Sequence, residues 1–177
     1  MLTWRFARLD ELTPREVHDL LRARSAVFVV EQDCVFLDAD GADVECWHLL
    51  GYRHPSPAPS QGKGEESPPS APGAGRGEGR ALAAYCRLVP PGVKFPEPSI
   101  GRVVTTAAAR RTGAGRALMR EAVSRAESLW PGAAIRIGAQ VYLERFYGEF
   151  GFVKASDVYI EDGIPHVEML RTSGRKS

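Results

Sequence analysis

The chain is poor in cysteine, has no long unbroken hydrophobic run and carries almost no surplus of charge. Its three cysteines, Cys34, Cys46 and Cys86, supply neither an even disulfide framework nor a C-x-x-C pair. That usage favours a reduced, cytoplasmic setting and argues against a structural metal. Apolar runs such as Ala81 to Cys86 fall far short of the roughly 20 residues a membrane helix needs. At the start, Met1-Leu2-Thr3-Trp4-Arg5 has no basic stretch leading into an apolar one, so no signal peptide is expected. With 23 basic and 22 acidic side chains mixed along the sequence, the net charge is +1. Such a balance gives no polyelectrolyte reason to bind nucleic acid or an anionic membrane, so any polyanionic partner must be small.

What is present fits one ordinary globular domain over residues 1–177, with 44% apolar and 25% charged residues. The stretch from His54 to Gly79 is dominated by Pro, Ser and Gly and has no apolar periodicity. It is expected to be a disordered insertion at 54–79 that lengthens a surface connection, because it cannot bury enough surface to offset its own ordering entropy. Two alternating apolar segments flank it, Trp47 to Tyr52 and Ala81 to Val89, and these read as adjacent strands.

Leu2 to Leu9 alternates as a strand. Thr13-Pro14-Arg15-Glu16 then reads as a capping box with proline in the first helical turn. The helix it opens places Val17, Leu20, Leu21 and Phe28 on one side. A strand over Ile100 to Thr105, a helix over Arg116 to Leu129 and a strand over Ala134 to Ala139 follow. A second helix carries Val141, Leu143, Phe146, Tyr147 and Phe150. Two last strands, Phe152 to Ala155 and His166 to Leu170, are joined by a loop holding an Asp162-Gly163 turn. The order β-α-β-β-β-α-β-α-β-β predicts an α/β or α+β domain with one mixed sheet.

Chemistry concentrates where the strand ending at Thr105 feeds Arg110-Arg111-Thr112-Gly113-Ala114-Gly115 and then a helix. A glycine-rich turn at a helix N-terminus leaves amides unpaired, and with the helix dipole these bind phosphate oxygens. Arg110, Arg111 and Arg116 add charge, so a pyrophosphate is the natural guest. The chain has no Walker G-x-x-x-x-G-K-[ST], and Leu118 stands where a Rossmann fingerprint needs its third glycine.

The pattern [QR]-x-x-G-x-[GA], here Arg110, Gly113 and Gly115, resembles motif A of the GNAT superfamily. The run Phe146-Tyr147-Gly148-Glu149-Phe150-Gly151-Phe152 resembles that superfamily's motif B. Phe28-Val29-Val30-Glu31-Gln32, Gly138-Ala139-Gln140 and Glu161-Asp162-Gly163-Ile164-Pro165-His166 resemble its ElaA-type branch. The resemblance covers almost all of the chain except the insertion. It implies a mostly antiparallel sheet flanked by helices, with two central parallel strands splayed around the pantetheine of acetyl-CoA. Val103 and Thr105 would pair with pantetheine, and Arg110, Arg111, Thr112, Gly113, Ala114, Gly115 and Arg116 would hold the pyrophosphate. No metal is implied.

By the same resemblance the reaction is direct attack of an acceptor amine on acetyl-CoA, with Tyr147 as the acid for the leaving thiolate. An amine near pKa 10.4 also needs a base. Glu31 and His48 are the candidates, against a solvated carboxylate and a backbone-bonded structural histidine respectively. His166 either lines the same mouth or fixes the final hairpin. Asp38, Asp40 and Asp43 beside Gly41 lack the spacing of an EF-hand loop and read as a solvated acidic loop, which would favour a cationic amine if it faced the cleft. The competing function is an inactive acyl-CoA-binding or regulatory GNAT-like module. A nucleic-acid module built on Gly75 to Arg80 is disfavoured by the charge balance. The acceptor's identity and the oligomeric state, homodimer included, stay open.

Overall fold

The computed structural model describes residues 1–54 and 80–172; apart from His54, the expected insertion at 54–79 lies outside the described residues. Helix α1, Pro14–Arg24, starts as its sequence implies. Thr13 Oγ1 accepts from the Glu16 amide at 3.2 Å, and Glu16 Oε2 accepts from the Thr13 amide at 2.9 Å. The exchange satisfies donors that a helix start otherwise leaves orphaned. Leu20 then packs with Leu50, Tyr52 and Tyr85, with Val17 and Leu21 alongside.

Phe28 departs from that stripe. After Arg24 the chain widens into a π-helix, Ser25–Glu31, and Gln32 donates to the carbonyl of Val27 at 3.0 Å. The wider winding rotates Phe28 away from the α1 face and towards Ala23, Val27 and Val104.

The described strands form one eight-stranded sheet. They are β1 (Leu2–Arg8), β2 (Trp47–Arg53), β3 (Ala81–Val89), β4 (Ser99–Thr105), β5 (Ile135–Gln140), β6 (Val153–Lys154), β7 (Tyr159–Glu161) and β8 (Ile164–Arg171). Their spatial order is β1-β2-β3-β4-β5-β8-β6, with β7 also pairing β8. All pairs are antiparallel except β4–β5. Strand β7 lies inside the expected loop. Asp162 and Gly163 turn it back on β8 with φ of 50° and 76°, and Glu161 pairs with Ile164, the geometry of a two-residue hairpin.

Alternation sends the two faces of the sheet to different helices. Helix α2 (Ala114–Leu129) buries Leu118, Met119, Ala122 and Ala126 against Leu49, Ala84, Cys86 and Leu88, together with Ile135, Ile137, Val167 and Met169 of β5 and β8. The opposite face takes α1. The motif-B helix is shorter than its pattern suggested: Val141–Leu143 is a 3-10 turn and α3 spans only Glu144–Gly148.

On the α1 face the aspartates are not a solvated loop, which corrects the sequence expectation. Asp38 and Asp43 are 7% and 8% exposed. Arg24, fully buried, donates to Asp38 and Asp43 at 2.8 Å each; Arg87 donates to Asp43 at 2.8 Å and to Asp40 at 2.7 Å. Arg102 donates to Asp38 at 2.7 Å and to Asp40 at 3.2 Å. Burial by itself would raise the Asp43 carboxyl, but the hydrogen bonds and charges of Arg24 and Arg87 outweigh it and hold Asp43 below the usual range. The Arg87 hydrogen bonds hold Asp40 lower as well.

Both carboxyls are depressed in the fold, so their stabilisation is full above the unfolded value of about 3.9 and is lost as pH falls through the lower folded values. Replacing Asp43 with Ala strands Arg24 and Arg87 without a shared partner and is expected to cost about 3–5 kcal/mol. Urea titration at pH 7 checks this. A midpoint within experimental error of the parent would show that the network does not brace the fold.

Candidate active site

Strands β4 and β5 touch at one end only. Ser99 pairs with Arg136, and the Arg136 amide donates to the Pro98 carbonyl at 2.9 Å. Beyond that bridge the strands diverge, and the gap between them opens a cleft of about 1120 Å³. A buried strand edge without partners is costly, so the gap is a place for a ligand that supplies them.

A bulge shapes the β4 side. Tyr85 pairs with Val104 and Arg87 with Gly101, so β4 advances three residues while β3 advances two. The extra residue lets Gly101 and Arg102 both turn to the α1 face, where Gly101 lies beside Arg87 and Arg102 reaches Asp38. Arg102 sits in the left-handed region at φ 53°, unusual for a residue with a side chain. Asp38 and Asp40 hold its guanidinium, and the rings of Phe28 and Phe36 lie 5.8 and 5.0 Å from it.

At the other end of β4 stands the N-terminus of α2. Gly113 caps it at φ 84°, a conformation that favours glycine, and the first helical bond runs from the Ala117 amide to the Gly113 carbonyl. The amides of Ala114, Gly115 and Arg116 therefore lack a helical acceptor. Gly115 serves packing: a Cβ there would lie 3.3 Å from Thr105 Oγ1, so its absence lets α2 sit close on β4. Val103, Thr105, Arg110, Arg111, Gly113, Ala114, Gly115 and Arg116 border the cleft. Thr112 does not; its hydroxyl donates to the Ala109 carbonyl at 2.7 Å and shapes the turn from within. Arg116 is held by Glu149 at 2.7 and 2.8 Å. Among the described residues the side chains of Arg111 and Lys94 both border the cleft without a hydrogen-bonding or ion-pair partner, and Arg111 is the one beside the helix start.

Tyr147 enters from the α2 face. It is 6% exposed, wedged between Phe146 and Phe152 with ring centroids at 5.1 and 6.3 Å, and it still borders the cleft. Burial pushes its phenol well above the ordinary value. Its hydroxyl has no hydrogen-bonding partner among the described residues.

The two suggested bases fare differently. Glu31 borders the cleft, but its carboxylate is paired with Arg110, which also donates to the Thr105 carbonyl at 3.3 Å. That places Glu31 at the C-terminal end of β4, beside the helix start. His48 is outside the cleft altogether. It is fully buried, with Nδ1 2.8 Å from the Tyr85 hydroxyl and Nε2 donating to the Asp43 carbonyl at 3.0 Å. Burial lowers its pKa, which keeps it a neutral structural histidine.

Sequence reasoning missed the bridge in which Gln140 Nε2 donates to Gln32 Oε1 at 3.2 Å, tying the end of the π-helix to β5 across 108 residues. The resemblance had marked both stretches without linking them. No local signal could, since the contact exists only once the sheet has formed.

A mixed sheet with one splayed parallel pair beside a helix start with open amides is the arrangement of the GNAT acyl-CoA N-acyltransferase fold. The family model described as an acetyltransferase (GNAT) domain matches residues 92–173. A UPF0039 protein of Synechocystis is 36% identical over 169 residues, covering 96% of this chain and 94% of that one. Protein ElaA of Escherichia coli is 32% identical with 97% of each chain covered, and its crystal structure superposes with a TM-score of 0.77. The crystal structure of an acyl-CoA N-acyltransferase from Pseudomonas aeruginosa, 36% identical, gives 0.79 and covers 97% of this chain and 100% of that one. The chain belongs to the GNAT superfamily, in the branch that holds ElaA and the UPF0039 proteins. It is thereby a member of an acyl-CoA-dependent acyltransferase family. Among the described residues no helix is long and apolar enough to cross a membrane, and no group of three or more His, Cys, Asp or Glu is placed to hold a metal.

Replacing His48 with Phe removes both of its buried hydrogen bonds and is expected to cost about 1–3 kcal/mol of stability. Folded His48→Phe protein should nevertheless keep the parent's turnover in any acyl-transfer assay. A selective loss of turnover with unchanged stability would return His48 to the catalytic set.

Proposed function

We propose that this protein transfers an acetyl group from acetyl-CoA to a primary amine by direct attack, in a reducing, cytoplasmic setting. The observation that carries the reading is the gap between β4 and β5, which leads from the open amides of α2 to the hydroxyl of Tyr147. The pyrophosphate is assigned to the amides of Ala114, Gly115 and Arg116, helped by Arg111. Pantetheine is assigned to the free edge of β4 at Val103 and Thr105, where its amides replace the missing strand.

Tyr147 acts at the sulfur. Because burial holds its proton firmly, the phenol serves as a hydrogen-bond donor to the departing thiolate and stays neutral between turnovers. A thiolate near pKa 8.5 leaves more readily than an amine near 10.4 but departs as an anion, so a hydrogen bond at sulfur acts where charge develops. The amine must lose its proton before attack, and the Arg110 pair leaves Glu31 poorly disposed to take it.

Two measurements check this reading. Acetyl-CoA at about 100 times its Kd should add roughly 2.7 kcal/mol to the native state and raise Tm by several degrees, while ATP and NAD should not. No rise would remove the coenzyme assignment. A panel of primary amines, from polyamines and amino sugars to lysine-containing peptides, is then screened for CoA release. With the best acceptor, Tyr147→Phe should lower kcat about 10²-fold with little change in KM for acetyl-CoA; full turnover would exclude Tyr147 from the chemistry.

A further inference from the structure

We infer that His166 is the base that takes the proton from the acceptor amine, through its Nε2, on the face of the sheet opposite Tyr147. The inference rests on the transferase reading above and assigns the half of the reaction that Glu31 and His48 leave open.

The side of the sheet follows from alternation. On β5, Ile135, Ile137 and Ala139 pack against α2, as do Val167 and Met169 of β8. Their neighbours Gly138, Gln140, His166 and Glu168 therefore point to the α1 face, and all four border the cleft. In the register His166 stands directly opposite Gln140, whose side chain is already fixed by Gln32. Tyr147 belongs to the α2 side. The gap between β4 and β5 thus has the phenol on one face and the imidazole on the other, so a thioester carbon lodged in it would lose sulfur towards Tyr147 and meet nitrogen from the side of His166.

The tautomer follows from one hydrogen bond. Nδ1 of His166 lies 2.8 Å from the carbonyl oxygen of Ile164, and a carbonyl can only accept, so Nδ1 carries the hydrogen. Nε2 is left with its lone pair, and no hydrogen bond within the described residues engages it. The ring is held in orientation by stacking on Tyr159 at 6.0 Å. His166 is half-buried, reachable from the cleft yet shielded from bulk water. This differs from His48, whose two nitrogens are both spent.

Carboxylates, a phenol and a thiol flank it, while Arg87, Lys94, Arg102 and Arg110 are among the cations that line the same cleft. Glu168 on its own strand is engaged by Arg136; Glu161 and Asp162 come from β7 and its turn; Tyr159 stacks; Cys34 faces from the segment after the π-helix. That setting suits an ammonium arriving from solvent. In the step, Nε2 takes one proton from the ammonium and the freed amine forms the C–N bond to the thioester carbon. The C–S bond then breaks, the nitrogen's second proton passes to the departing sulfur, and the imidazolium returns its proton to water.

The test uses the full chain and His166→Asn, whose amide keeps a donor near the Nδ1 position for the Ile164 carbonyl while removing Nε2. The Tm rise with acetyl-CoA should match the parent's, which separates this proposal from the coenzyme assignment. With the best amine of the panel, kcat/KM at pH 7 should fall about 10²-fold or more. The deficit should narrow as pH approaches the amine's own pKa, where the acceptor deprotonates unaided. An undiminished rate at pH 7, or a deficit equal at every pH, overturns the proposal. Independently of any acceptor, the ¹⁵N-histidine resonances that the parent shows and His166→Asn lacks should be those of a ring protonated at Nδ1 alone, whereas His48 keeps its Nε2–H. An Nε2–H resonance among those lost in His166→Asn would overturn it as well.

Discussion

Three arginines and three aspartates packed on the α1 face hold the wall of the cleft in place. The segment from Asp33 to Glu45 has little apolar anchorage, since Val35, Leu37 and Val44 are 92%, 77% and 63% exposed. What fixes it is charge: Asp38, Asp40 and Asp43 reach Arg24 on α1, Arg87 on β3 and Arg102 on β4. Buried ion pairs add little net stability compared with a well-packed apolar cluster, but removing one member leaves an uncompensated charge. Such a network therefore selects one arrangement of the wall more than it strengthens the fold. Its most consequential member is Arg102, because the two aspartates that hold its guanidinium also hold the left-handed backbone of the bulge. The bulge in turn sets the direction of β4 where it leaves β5.

The splay depends on that direction. Ser99 and Arg136 keep β4 and β5 together at one end, and Arg136 is braced there by Glu97 and Glu168 at 2.7 Å each. From this pivot the strands open towards the start of α2, where Gly115 lets the helix lie against Thr105. One end of the gap is therefore closed by charge pairs and the other by a helix terminus with open amides. A long, thin, polar-headed ligand suits such a space better than a compact one.

Much of this was legible in the sequence because the signals are local. The Thr13–Glu16 box, the glycine turn before α2 and the Asp162-Gly163 hairpin each lie within a few residues, and each has one physical explanation. Gly113 and Gly115 were also legible as important, though for different reasons: positive φ in one case and helix–strand contact in the other. The ion network was not legible. Arg24, Arg87 and Arg102 lie 14 to 64 residues from the aspartates they neutralise, so the acidic stretch reads as solvated when taken alone. His48 stayed open between a base and a backbone-bonded structural histidine for a related reason: alternation says which face of β2 it occupies, but not whether that face meets core or cleft. The π-helix that turns Phe28 aside has no distinguishing pattern in Ser25 to Glu31, because its widening follows from tertiary contacts.

The division of the sheet into two faces also separates two electrostatic tasks that would interfere if placed together. Around Tyr147 the surroundings are aromatic and aliphatic, which keeps the phenol protonated and would strengthen the proposed hydrogen bond to a forming thiolate. Around His166 the cleft is partly open and carries the carboxylates of β7 and β8, which suits the approach of a cationic amine in the proposed reaction. A base buried beside Tyr147 would resist protonation, and a phenol placed among the acids of β7 and β8 would donate its hydrogen bond to a carboxylate instead of sulfur. In the proposed reaction, the gap between β4 and β5 lets one thioester be reached from both environments at once, which is what the splayed sheet would contribute to the chemistry.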